Sequence, residues 1–206
     1  MKGKEENNTE QAILEAAEKV FIDRGYTLAK TTEIARIAGV NHAMLHYYFR
    51  TKENLFDKVF RAKVEILANS FSNVLEQDLP FFDKLALAIE THFDFISQNP
   101  KLPFFIISEI ITNDERREMG RLIILPRVKR LLGALSIAID KEVAKGIIRP
   151  IEPIDLLLNV VSLNMFGFIS KPMIQIINNQ TEEEYKKFLE HRKKENVQLI
   201  LKGLLM

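Results

Sequence analysis

Six residues in one short run could do chemistry together: His42, Ala43, Met44, His46, Tyr47 and Tyr48. They put polar tips on flat aromatic bodies and include no acid. An ordinary surface helix would carry Lys and Glu in these places. Tyrosine hydroxyls and backbone N–H groups at a helix start are typical phosphate contacts. A second chemistry has to be weighed beside this one. His42 and His46 lie four apart, which is metal-ligand spacing, but HExxH needs a Glu beside the first His and a third ligand. Ala43 stands in the Glu position, so no metal is expected. Catalysis fares no better. The chain has no glycine-rich phosphate loop, no GxSxG, no HExxH and no cysteine nucleophile. Its carboxylates share helix faces with Lys and Arg, the pattern of a solvated surface. Neither an enzyme nor a cofactor is expected.

The elements that must position these residues can be read on either side of them. Ile34, Ala35 and Ala38 recur at helical spacing, so Thr31 to Ala38 has one apolar face. Gly39 supplies a residue free to take positive φ, with Val40 behind it. Asn41 is a good N-cap for a helix from His42 to Phe49, whose inward residues are Leu45 and Phe49. Thr51 caps the next helix. Two short helices joined by a glycine turn make a helix-turn-helix, whose second helix enters the DNA major groove. Upstream, residues Met1 to Asn7 read as a tail. Asn8 and Gln11 form a capping box for a helix ending at Gly25, and Tyr26 packs beneath the head.

Ile13-Leu14-x-Ala16-Ala17, Val20-Phe21, Gly25-Tyr26, Ile34-Ala35, Ala38-Gly39-Val40, Leu45, Phe49, Lys52-Glu53 and Leu55 together resemble the N-terminal signature of the TetR/AcrR family of transcriptional regulators. The resemblance covers about the first quarter of the chain. It implies a homodimeric repressor that binds a pseudo-palindromic operator and is released by a small-molecule effector. Residues 1–52 would be the DNA-binding domain and residues 53–206 the effector-binding and dimerisation domain. Carried over by position, the base-reading residues are Asn41, His42, Ala43 and Met44. The phosphate contacts are His46, Tyr47, Tyr48 and Lys52, flanked by Lys30, Thr31 and Arg50. The chain departs from the family at two places. Lys30 stands where a Ser or Thr cap is common, so Thr31 is the alternative cap and Lys30 is left to reach a phosphate. His46 and Tyr48 exchange the residue types usual there. Ala43 and Met44 offer only apolar contact to a thymine methyl, which leaves His42 much of the direct readout. Arg is missing from this helix, so DNA shape gains weight.

Composition bounds these expectations. The 206 residues suit one large or two small domains, and 47% are apolar, enough for a sizeable core. There is no cysteine, which excludes disulfides and thiolate metal sites and fits a cytoplasmic protein. The first ten residues lack an apolar signal region, and no apolar run approaches the ~18 residues of a membrane span. A net charge of +1 is low for a nucleic-acid binder. The positive charge is local: Arg24, Lys30, Arg36, Arg50 and Lys52 face one acid, Glu33, between residues 24 and 52. A small basic patch follows. The near-neutral total also motivates an alternative, an all-α dimer that binds a small molecule or partner without operator recognition.

The remainder reads as helix after helix, which makes the fold class all-α. A long helix from Thr51 to about Gln77 carries Leu55, Val59, Ala62, Ile66 and Phe71. Amphipathic Phe81–Gln98 follows, and then Leu102–Thr112, apolar on two sides and expected to be buried. Asn113 to Arg117 reads as a charged turn before a segment to Lys145, which Pro126 should kink. Asp155–Ser170 is apolar nearly all round. After a polar hinge at Asn178-Asn179-Gln180, Thr181 and Glu184 form a capping box for a terminal helix. An apolar effector cavity with few polar anchors is expected from His92, Phe93, Phe104, Phe105, Ser108, Met119, Asn164, Met165 and Phe168. The resemblance implies a four-helix dimer interface on the last long helices, with Leu158, Val161, Phe188, Val197 and Leu201.

Overall fold

The computed structural model describes residues 2–70, 74 and 77–206, with side chains from residue 8 onward. Among the described residues there are ten α-helices: α1 Lys2–Leu28, α2 Thr31–Ile37, α3 His42–Phe49, α4 Lys52–Ala68, α5 Phe81–Gln98, α6 Leu102–Thr112, α7 Asp114–Ala144, α8 Pro153–Ile169, α9 Lys171–Asn178 and α10 Glu182–Leu204. The extended pairing among them is one isolated antiparallel bridge, Ile148 to Leu205. Two compact units result. The first is Met1–Glu65 with Phe104–Arg121, and the second is Ile66–Pro103 with Leu122–Met206.

In the first unit, Ile13, Ala17, Val20 and Phe21 of α1 are buried together with Ile34 and Ala35 of α2, Leu45 and Phe49 of α3, and Leu55, Phe56 and Phe60 of α4. Aromatic rings tie this core together. Phe21 meets Phe56 edge-on at 4.8 Å between centroids, and Phe105 of α6 packs on Phe56 and Phe60 at 5.7 and 6.0 Å. Such pairs add about 0.5–1.5 kcal/mol each beyond their buried area. Leu45 and Phe49 are what hold α3 against this core. Truncating a buried Leu of this kind costs about 2–5 kcal/mol, so α3 is held firmly although it is only eight residues long.

The second unit centres on Leu85, Ile89, Ile139, Ile148, Leu156, Val160, Ile200 and Leu204, from α5, α7, α8 and α10 and the segment after α7. A polar chain runs through it. The Asn164 amide donates to the Ile89 carbonyl at 2.9 Å and to His92 Nδ1 at 3.2 Å. Asn196 donates to Asn164 Oδ1 at 2.9 Å, and Arg192 donates to Asn196 Oδ1 at 2.7 Å. Buried amides persist only when satisfied in this way. Burial depresses the His92 pKa from 6.5 to about 4. The ring is therefore neutral, as its role of acceptor at Nδ1 requires.

Several expectations from the sequence need correction. Helix α1 starts at Lys2, so residues 2–7 are helix and the Asn8–Gln11 capping box falls inside it; Lys and Glu are good helix formers and extend the helix. Gly25, at φ 70° and ψ 175°, breaks α1 where an end was expected. Lys30, not Thr31, occupies the N-cap of α2, and its side chain makes no capping bond. The helix α4 ends at Ala68, where Ser70 Oγ donates to the Leu67 carbonyl; Phe71 lies outside the described residues. Asn113 to Arg117 is no turn. The Asn113 side chain accepts from the Arg116 N–H at 2.9 Å and caps α7, whose first-turn Asp114 and Glu115 suit the positive end of the dipole. Pro126 lies inside α7, as expected. Only one side of α6 is buried; Phe104, Ile107 and Ile111 are exposed. Other expectations stand as written: Asn179 is left-handed at φ 48° and ends α9, and Thr181 and Glu184 cap α10 reciprocally.

Candidate nucleic-acid interface and cavity

The turn before α3 is built by backbone bonds. Gly39, at φ 70°, lets the Val40 N–H reach back to the Ala35 carbonyl at 3.0 Å while Gly39 N–H donates to Arg36 at 3.3 Å. This is the Schellman arrangement, which glycine makes without steric cost. The Asn41 side chain then accepts from the Met44 N–H at 2.8 Å and starts α3. With Leu45 and Phe49 turned inward, Asn41, His42, Ala43, Met44, His46 and Tyr47 are all exposed. Tyr47 is 72% exposed, with its ring edge-on to Tyr48 at 5.4 Å.

Hydrogen bonds set what each side chain can offer. His42 Nε2 lies 2.9 Å from Thr31 Oγ1, so His42 is braced against α2 and the Thr31 hydroxyl is already engaged. His46 Nδ1 lies 2.8 Å from the Arg50 carbonyl. A carbonyl only accepts, so Nδ1 carries the proton and a neutral ring leaves Nε2 as an acceptor. In that form His46 cannot donate to a phosphate. The Lys52 ammonium lies 4.5 Å from the Tyr26 ring centroid and 3.5 Å from the Thr27 carbonyl, and burial lowers its pKa. It braces the base of the head. Arg24 pairs with Glu33 at 2.8 Å and neutralises the one acid of the segment. Lys30, Arg36 and Arg50 are exposed.

Arg50 has an unusual backbone for its residue type, with φ 63° and ψ −57°. The Thr51 N–H donates across it to the Phe49 carbonyl at 2.6 Å, which closes a γ-turn. Thr51 Oγ1 then accepts from the Asn54 N–H at 3.1 Å and caps α4. A side chain held in a sparsely populated backbone region costs about 1–3 kcal/mol, and the tight reversal between α3 and α4 imposes it.

In the second unit there is a cavity of about 140 Å³. It is lined by Val74, by Phe81, Lys84, Leu85 and Ala88 of α5, by Leu131, Ala134, Leu135 and Ala138 of α7, and by Leu156, Leu157 and Val160 of α8. Three alanines on two helices leave the space that larger side chains would fill. None of the nine residues expected from the sequence lines it. His92 and Asn164 are spent on the buried polar chain, and Phe93 and Phe168 pack together at 5.1 Å beside half-buried Met165. Phe105 belongs to the core of the first unit, and Ser108 Oγ donates to its carbonyl at 3.0 Å. Phe104 is exposed and Met119 is half-buried. The expected interface residues also differ among themselves. Leu158 is exposed; Val161 and Phe188 are half-buried; Val197 and Leu201 pack partly on their own core.

Comparison with known proteins adds to this geometry. Residues 13–59 match the family model described as bacterial regulatory proteins, tetR family. The chain is 27% identical over 142 residues to the HTH-type transcriptional regulator YhgD of Bacillus subtilis, covering 68% of this chain and 72% of that one. It is 36% identical over 87 residues to the HTH-type transcriptional activator FasR of Mycolicibacterium smegmatis, covering 42% and 40%. The crystal structure of HlyIIR, a hemolysin II transcriptional regulator, superposes with a TM-score of 0.65 at 27% identity over 98% of this chain and 99% of that one. The fold is also that of FadR from Bacillus subtilis, solved in complex with stearoyl-CoA, with a TM-score of 0.61 at 20% identity over 95% and 99%.

Proposed function

The chain belongs to the TetR family of transcriptional regulators, and from that premise we propose that it is a cytoplasmic homodimeric repressor that leaves its operator when a small effector binds. The observation that carries this is the exposed face of α3, Asn41 to Tyr47, held against the core by Leu45 and Phe49 and carrying no acidic side chain. Each head lays this face in a major groove of a pseudo-palindrome. His42, braced by Thr31, reads base edges beside Ala43 and Met44. Tyr47 and the N–H groups at the start of α3 hold phosphates, with Lys30 and Arg50 beside them.

Residues 1–52 act as the DNA-binding domain, and residues 53–206 bind the effector and dimerise. An exposed apolar surface supports the dimer: Leu158 and Phe166 of α8, Met173, Ile176 and Ile177 of α9, and Leu199 of α10. Two subunits joined there form an isologous interface around a two-fold axis. The effector is a small apolar or amphipathic molecule. Support comes from the apolar cavity of the second unit and from the fatty acid metabolism regulator protein of Bacillus subtilis, 25% identical over 135 residues.

The test is fluorescence anisotropy of the purified protein on DNA flanking its own gene, against scrambled DNA, at two salt concentrations. Specific binding should survive the higher salt on the native fragment alone. Tyr47→Ala should weaken it by about tenfold or more, because each head loses a phosphate contact, with the dimer unchanged by sedimentation. Equal, salt-erased binding to both fragments would count against operator recognition.

A further inference from the structure

The lining of the cavity specifies its occupant more narrowly than an apolar effector. Eleven of its twelve lining residues are apolar and the twelfth is Lys84. Lys84 sits in the first turns of α5 on the stripe Phe81, Lys84, Leu85 and Ala88, all of which face the cavity. It is half-buried, and among the described residues no carboxylate pairs with it. A cation on an apolar wall, unpaired and near the positive end of a helix dipole, favours an anionic group on its occupant. The volume sets the length. At about 140 Å³ the space matches that of an engineered cavity that takes one benzene. The enclosed part holds roughly six to eight carbons, and because Ala134 on its rim is exposed a longer chain would run out into solvent.

We infer that the cavity among α5, α7 and α8 binds a monocarboxylate with a short-to-medium hydrocarbon chain, its carboxylate on Lys84 and its chain along the alanine-lined wall between Ala88, Ala134 and Ala138. This rests on the reading of the second unit as effector-binding. It adds the chemical class, the anchoring residue and the length of chain that the space encloses.

Isothermal titration of the full-length protein with sodium octanoate, octan-1-ol and stearoyl-CoA tests it. Octanoate should bind the wild type, and Lys84→Met should weaken it by about tenfold or more, as the loss of a charge-assisted hydrogen bond implies. Octan-1-ol should bind both forms equally. Ala134→Phe fills the space and should abolish both, with thermal melts confirming that each variant folds. Octanoate that fails to bind the wild type, or binds Lys84→Met or Ala134→Phe as well as it binds the wild type, overturns the assignment. Titrating the same ligands into the operator complex separates the two readings. Octanoate that binds through Lys84 yet leaves the operator complex intact upholds the site and removes effector release by this ligand. Stearoyl-CoA that dissociates the complex while octanoate does not bind upholds release and removes the site.

Discussion

Replacing Arg116 with Met should destabilise the first unit by about 3–5 kcal/mol. Arg116 of α7 is the most buried cation in its ion-pair cluster, its side chain only 5% exposed. Its Nη1 donates to Glu109 Oε2 of α6 at 2.6 Å, and its Nη2 donates to Glu53 of α4. Its Nε lies 3.7 Å from Asp57 and has no hydrogen-bond partner among the described residues. The guanidinium is packed against Phe56 at 4.1 Å and Tyr26 at 4.6 Å. The partners are not equal. The Glu109 side chain is 11% exposed, whereas Asp57 and Glu53 are 34% and 40% exposed. Solvent screens the latter two, which leaves them worth about 0–1 kcal/mol. The magnitude comes from Glu109, stranded in the interior without its counter-charge. Met keeps most of the volume and the contact with the two rings, so packing loss is small.

Urea unfolding followed by circular dichroism reads the change. In a melt it amounts to roughly 6–20 °C for a chain of this size. The diagnostic step is a second substitution. Adding Glu109→Gln to Arg116→Met removes the stranded charge and should restore part of the loss, whereas Glu109→Gln alone should destabilise. Arg116→Met costing under about 1 kcal/mol, or no recovery in the double variant, would refute the account of a buried, charge-driven clamp.

Three further outcomes follow from other parts of the molecule. His92 has a folded pKa depressed from 6.5 to about 4, so its contribution is complete above 6.5 and is lost as pH falls from 6.5 towards 4; about 3 kcal/mol should disappear over that window, and His92→Gln should flatten this part of a stability–pH profile. Arg50→Gly relieves a positive φ and should raise stability by about 1 kcal/mol, while flattening the salt dependence of operator binding by a slope of about 1 per lost phosphate contact; a melt that falls would show that Arg50 makes compensating contacts. Phe166→Glu places a charge on a side chain 62% exposed in the single chain, so it should leave the melt of the subunit little changed yet yield monomers in analytical ultracentrifugation; an intact dimer would place the interface elsewhere.

The head was legible in the sequence because its signals act within a few residues. Gly39 meets a local need for positive φ, the Asn41 side chain reaches a backbone N–H three residues on, and Leu45 and Phe49 mark the buried face by helical spacing alone. The same physics made the Thr181–Glu184 box readable. The start of α7 was missed for a related reason: a run of charges looks like a turn until Asn113 is seen to cap a helix that the acids then stabilise. Other features depend on residues far apart in the chain. Arg116 finds Glu53 from 63 positions away, and Asn164 finds His92 from 72. Which aromatic residues would be core and which exposed depended on that packing, and it separated Phe105 from Phe104. The cavity is a further case. Ala88, Ala134 and Ala138 are unremarkable helix formers in sequence, and they leave a space for a ligand only because tertiary packing brings their faces together beside Lys84. Short-range hydrogen bonding and helical period thus settled the helix-turn-helix, whereas the Arg116 clamp and the lining of the cavity were decided by long-range packing, which no local pattern encodes.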